Sequence, residues 1–128
     1  MRAVDTNVLV RLATRDDARQ VAAAEAFVSK GKGAWVSHLV LAEAVSVLTS
    51  VYELRADQIA TAVEMFLDHK DLTVQDQDTV AAALERYRER PEVSFSDCLV
   101  LEVARKAGHL PLGTFDRALG ELEGAKRL

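Results

Sequence analysis

Short apolar runs of strand length alternate with longer segments of helical periodicity along the chain. This alternation restricts the fold more than any other feature. Ala3-Val4, Ala34-Trp35-Val36-Ser37, Leu72-Thr73-Val74 and Leu110-Pro111-Leu112-Gly113-Thr114 read as strands. Between them, apolar residues recur at the three- and four-residue spacing of a buried helix face. Val8, Leu9 and Leu12 open the first such helix, with Thr6 or Asn7 placed to cap it. Arg15-Asp16-Asp17 marks a turn, and Val21, Ala24, Phe27 and Val28 make a second helix ended by Gly31-Lys32-Gly33. An almost uncharged helix runs from Leu39 to Val51 and is expected to be buried on most of its surface. Ala56 to Phe66 gives another, followed by a polar break at Asp68-His69-Lys70-Asp71. Asp78 to Arg90 is helical until Pro91 stops it, and Ser96 to Ala107 closes on Gly108. A short helix spans Arg117 to Leu122, and Ala125 to Leu128 either starts a fifth strand or frays. Strands alternating with helices predict one parallel α/β sandwich.

Composition narrows the class. A chain of 128 residues suits a single domain with a sizeable core. With 49% hydrophobic but only 5% aromatic residues, helices on a small sheet are favoured over a β-sandwich. Glu43 interrupts the longest apolar run, so no membrane span is expected, and the amino terminus lacks a secretory signal pattern. Cys98 is the only cysteine; no internal disulfide can form, which fits a reducing cytoplasm. A formal charge of −4 argues against indiscriminate nucleic-acid binding but leaves room for an acidic centre beside a local basic rim.

Four carboxylates fall at comparable places in this pattern. Asp5 ends the first strand, just before a helix amino terminus, where open α/β sheets place their ligand crevices. A carboxylate there can cap the helix, hold a metal ion or act as a base. Glu43 is the lone acid between Val36 and Tyr52, and burying it among Leu39, Val40, Val45, Val47 and Leu48 is costly without compensation. An exposed stripe with Ser46 and Ser50 is the other reading of Glu43. Asp97 begins an apolar helix, and Ser94-x-x-Asp97 also has the form of a capping box. Asp116 lies between a strand and a helix; Thr114 can serve as that cap and leave Asp116 free. A parallel sheet brings all four to one side, where they would repel unless a cation neutralised them. All-oxygen ligands suit Mg²⁺ or Mn²⁺. His38, His69 and His109 are scattered, so no zinc site is expected.

Asp5-Thr6-Asn7-Val8-Leu9, Glu43 in a Leu-x-x-Glu helix, Phe95-Ser96-Asp97 and Thr114-Phe115-Asp116-Arg117 together resemble the PIN-domain ribonucleases. The nearest likeness is to the VapC toxins of toxin–antitoxin pairs. The resemblance covers nearly the whole chain, in order; Ser96 stands where alanine is common, and the carboxyl terminus looks short. It implies a PIN-like three-layer α/β/α sandwich with a small, mainly parallel central sheet, as a single domain over residues 1–128. It further implies Asp5, Glu43, Asp97 and Asp116 as the catalytic metal site, with Thr6, Asn7 and Thr114 in support.

The activity so implied is Mg²⁺-dependent endoribonuclease cleavage, Mn²⁺ substituting, in the cytoplasm. Asp5 and Asp97 are expected as the main ligands. Arg11, Arg15 and Arg117 are candidates for the RNA backbone, whereas Arg86, Arg88 and Arg90 read as a solvated face. Expected partners are RNA, a small cognate antitoxin and a second copy of the chain. Apolar surface for these is anticipated on the Leu39–Val51 helix and on the face of Ala60, Val63, Phe66 and Leu67. Two rivals stand beside this reading. A PIN-like binding module without turnover keeps the acids but not the chemistry. A haloacid-dehalogenase-type phosphatase wants an aspartate where Asn7 stands. Cys98, without a histidine near it in sequence, reads as core rather than nucleophile.

Overall fold

The computed structural model describes residues 1–128, and the chain divides into two compact units, Met1–Gln77 and Asp78–Leu128. The first runs β1 (Arg2–Ala3), α1 (Thr6–Thr14), α2 (Ala18–Val28), β2 (Ala34–Val36), α3 (His38–Ser50), α4 (Ala56–Asp68) and β3 (Leu72–Val74). The strands form one parallel sheet in the order β1-β2-β3, with Arg2 opposite Ala34 and Ala34 opposite Leu72. Side chains alternate across it: Ala34, Val36, Leu72 and Val74 are buried, while Trp35 and Thr73 stay accessible. Gly33 makes the entry to β2 possible. Its φ is +88°, and a Cβ there would sit 2.6 Å from the Asp71 carbonyl oxygen. Helix α1 packs against α2 and α3 through Leu9, Val10 and Leu12.

Three expectations change in this unit. The first strand, expected to be buried at Ala3 and Val4, is exposed at Arg2 and Ala3; only Val4, whose N–H continues the ladder to the Trp35 carbonyl, is buried. Helix α3 buries one face (Leu41, Ala44, Val45 and Leu48) rather than most of its surface. Ala60, Val63 and Phe66 of α4 are core, so they offer no uncovered face; the most exposed large apolar residues of this unit are Leu39, 77%, and Val51, 69%.

The second unit runs α5 (Gln77–Glu89, all but its first residue), α6 (Phe95–Ala107), β4 (Leu112–Thr114), α7 (Arg117–Gly120) and β5 (Ala125–Arg127). The tail is a strand, parallel to β4, with Leu112 opposite Ala125 and Thr114 opposite Arg127. The ladders therefore form two small parallel sheets, one in each unit, and the α/β class with parallel pairing is as expected. Tyr87 and Phe95 meet edge to face at 6.1 Å beside buried Val80, Leu84, Leu99 and Leu101. Gly108 caps α6 in the left-handed conformation the sequence requires of it. Gly120 lets α7 lie against β5: a Cβ there would come within 2.8 Å of the Arg127 Cβ.

Candidate functional site

Each of the four acids stands where a strand or turn gives way to a helix, or one to two turns into that helix. Asp5, not Thr6 or Asn7, is the N-cap of α1; its Oδ1 accepts from the Thr6 N–H at 2.7 Å. The ladder reaches Val4, so the extended residue before the helix is Asp5, and the cap falls to it. Thr6 is thereby drawn into the helix and buried, with its Oγ1 lacking any hydrogen-bond partner. Asn7 is exposed on the first turn.

Glu43 lies in the second turn of α3 and is exposed, on the same stripe as Leu39, Ser46 and Ser50. The cost of burial argued from sequence does not arise, because Glu43 lies on this exposed stripe while the buried face of the helix is made by Leu41, Ala44, Val45 and Leu48. The Ser37 side chain caps α3, accepting from Val40 N–H at 3.1 Å.

In the second unit Ser94 caps α6, its Oγ accepting from the Asp97 N–H at 3.1 Å. Asp97 is half-buried, and its carboxylate takes no part in that cap. Asp116 is the N-cap of α7, accepting from Leu119 N–H at 2.8 Å. The expected division of labour is reversed: Thr114 Oγ1 accepts from the Asp116 N–H at 3.0 Å and so braces the cap residue instead of replacing it. In both cap aspartates one carboxylate oxygen is held by the backbone and the other is left over.

The structure places Asp5 and Glu43 in the first unit, on helices that pack together, and Asp97 and Asp116 in the second. Within neither unit do three His, Cys, Asp or Glu side chains converge closely enough to hold a metal ion. Of the histidines, His38 Nε2 meets the Gln75 carbonyl oxygen at 2.8 Å, His69 Nδ1 accepts from Asp71 N–H at 3.0 Å, and His109 is exposed.

The arginines sort clearly. Arg11 is woven into its own unit, donating to Tyr52 Oη at 2.9 Å, to Gln20 and to Asp16 at 3.3 Å. Tyr52 Oη in turn donates to Asp16 at 2.9 Å. The bond to Tyr52 raises the Arg11 pKa, while bonds from Thr14 and then Tyr52 lower that of Asp16. Sequence reading missed this network because Tyr52 is 41 residues from Arg11. Arg15 pairs with Glu25 at 3.4 Å, and Arg86 and Arg90 pair with Glu89, Glu92 and Glu121. Arg117 is exposed and takes part in no ion pair.

A sequence model of the PIN domain matches residues 2–125. The chain belongs to the PIN domain family. Membership puts it in a family of nucleases, and the match spans all four acids of this PIN domain. Among solved structures it is similar to the VapC20 toxin of Mycobacterium tuberculosis, described as cleaving the sarcin–ricin loop. Identity is 24% over 94% of this chain and 93% of that one, with a TM-score of 0.45. Curated proteins offer no significant match. No helix is long and apolar enough to cross a membrane.

Proposed function

We propose that this PIN domain is an endoribonuclease that hydrolyses RNA phosphodiesters with Mg²⁺ or Mn²⁺, and that it is the toxin of a VapBC-type pair. The observation that carries the reading is the family match over residues 2–125, which contains Asp5, Glu43, Asp97 and Asp116. Because that match runs through both units, we read residues 1–128 as one functional domain. The toxin assignment rests on the Asp5-Thr6-Asn7-Val8-Leu9 and Thr114-Phe115-Asp116 stretches.

The donor set suits the ion. Four carboxylates and no soft ligand select a hard divalent cation, and Thr6 adds a buried hydroxyl with no protein partner next to Asp5. Asp5 and Asp97 would be the main ligands, with Glu43 and Asp116 completing the set or acting through water. Such an ion supplies a water of lowered pKa and positive charge for the scissile phosphate. The protein's own part is orientation. One oxygen of Asp5 and one of Asp116 are fixed by backbone N–H groups, which aims the second without further ordering. The carboxylates of Glu43 and Asp97 are not used in caps; that of Asp97 is available as a ligand, and that of Glu43 is suited to accept a proton or hold a water. Arg117 is the best placed of the three candidate arginines to take a phosphate, since Arg11 and Arg15 already have carboxylate partners.

The partners proposed are single-stranded RNA, a small antitoxin and, through the exposed apolar ends of α3, a second copy of the chain in the cytoplasm. One observation favours a second reading, a PIN-like module that binds without turnover: neither unit by itself gathers three ligands. Cleavage of single-stranded RNA in Mg²⁺, Mn²⁺ and EDTA separates the two. Loss in EDTA with recovery on adding metal is expected. Equal cleavage in EDTA would refute the metal mechanism, and binding without cleavage under any metal would establish the module. Light scattering, and titration with a co-purifying partner, test the dimer and the antitoxin.

A further inference from the structure

Phe115 is 81% exposed, the highest value among the exposed large apolar residues. Its position is fixed on both sides. Thr114 ends β4 and holds the Asp116 N–H, while Asp116 caps α7 through the Leu119 N–H. These bonds hold the backbone on either side of Phe115 while its ring stays in solvent. Two arginines neighbour it, one in sequence and one in strand register. Arg117 opens α7, and Arg127 lies opposite Thr114 in the β4–β5 register, with its Cβ against Gly120 of α7. Both are exposed, and neither has a carboxylate partner. Arg11, Arg15, Arg55, Arg86, Arg90 and Arg105, by contrast, are each paired with a carboxylate.

An exposed ring flanked by free cations is how proteins hold single-stranded nucleic acid, the ring stacking on a base and the cations meeting the flanking phosphates. We infer that Phe115 is a base-stacking platform for single-stranded RNA, with Arg117 and Arg127 holding the phosphates on either side. This rests on the ribonuclease reading and adds to it the residue that seats the substrate next to Asp116. Stacking is tolerant of base identity, so the contact supplies affinity and register rather than sequence choice.

The test is binding of a fluorescent ten-nucleotide single-stranded RNA to the full chain in EDTA, where cleavage is stopped. Phe115→Ala is expected to weaken binding about 5- to 150-fold, and Phe115→Trp to restore it. Arg117→Gln and Arg127→Gln are each expected to lower the salt slope of log K by about 0.7. The decisive comparison uses the same RNA made abasic. Abasic RNA should bind the parent as weakly as normal RNA binds Phe115→Ala, with no additional loss when the two are combined. A merely structural effect of the substitution would weaken both RNAs equally and would overturn the inference. So would unchanged RNA affinity accompanied by a shift from dimer to monomer, which would assign Phe115 to a protein interface. If the parent binds no RNA at all, the ribonuclease reading falls first and this one with it; if the parent binds and Phe115→Ala binds equally, only this one falls.

Discussion

Replacing Asp5 separates two roles that one carboxylate fills. Its Oδ1 caps α1 at 2.7 Å from the Thr6 N–H, and α1 carries buried Leu9, Val10 and Leu12. Asp5→Ala removes the acceptor and leaves an amide at a helix start unpaired, a loss of about 0.5–2 kcal/mol. For a chain of this length about 1 kcal/mol lowers Tm by roughly 3–5 °C. Asp5→Asn keeps an oxygen at the same place, and asparagine caps as well as aspartate does. What it loses is the charge near the helix amino terminus, about 0.3–1 kcal/mol, against which any relief of repulsion among the metal-free acids acts in the opposite direction. The Asn variant should therefore melt within about 2 °C of the parent, and the Ala variant clearly below both.

Both should fail to cleave RNA, because neither offers the charged second oxygen. The assay is thermal unfolding in EDTA, then the same with Mg²⁺, beside cleavage of single-stranded RNA. At about 100 times its dissociation constant, Mg²⁺ adds about 2.7 kcal/mol to the parent and less to either variant. Two results would refute the reasoning. If Asp5→Asn is as unstable as Asp5→Ala, the cap bond is not what stabilises α1. If either variant cleaves like the parent, Asp5 is a cap and nothing more.

Glu43 is exposed and caps nothing, so Glu43→Gln should change stability by less than about 0.5 kcal/mol in urea while lowering cleavage at least about tenfold; unchanged turnover would remove it from the site. Arg105→Ala should cost about 1–3 kcal/mol, since it leaves the buried Glu102 carboxylate without its 3.2 Å partner and frees the Glu123 carbonyl oxygen; adding Glu102→Gln should recover part of the loss, and no recovery would argue that Arg105 acts through packing alone. Burial, with a smaller push from Asp97, raises the Cys98 thiol to about 11. At pH 8 only about a thousandth is thiolate, so a disulfide reagent should leave the native chain untouched and titrate one thiol after unfolding; rapid native reaction would contradict the buried placement.

The elements legible in sequence were those fixed by short-range chemistry. Gly108 ends α6 because the cap needs a left-handed residue, and Ser94 starts it because its hydroxyl reaches the Asp97 amide. What was not legible depended on contacts distant in sequence. Three good cap formers stand in a row at Asp5-Thr6-Asn7, and only the ladder bond from Val4 to Trp35 decides which one is extended. The amphipathicity of α3 was hidden because its exposed stripe includes Leu39 beside Glu43, Ser46 and Ser50, so its mean character reads as core. Glu102 and Arg105 form an ordinary i,i+3 pair in sequence, yet Glu102 is only 6% exposed; nothing local distinguishes this pair from a solvated one.

Capping and metal binding compete for these acids only in part. A cap needs one acceptor oxygen; a ligand to a hard ion needs one as well, and a carboxylate has two. At Asp5 and Asp116 the backbone takes the first oxygen, which fixes the direction of the second at the amino end of a helix. Serine or threonine at those positions would cap equally well and leave nothing to bind a cation. The structure puts serine at the α3 and α6 caps, Ser37 and Ser94, and there the candidate acids Glu43 and Asp97 sit within the helix instead. Of the three aspartates that cap a helix with their side chains, only Asp17 lies off a strand end. That difference gives the discriminating feature: the aspartate caps of α1 and α7 follow β1 and β4, where an α/β fold opens its crevices, whereas the Asp17 cap follows a turn and carries no functional assignment.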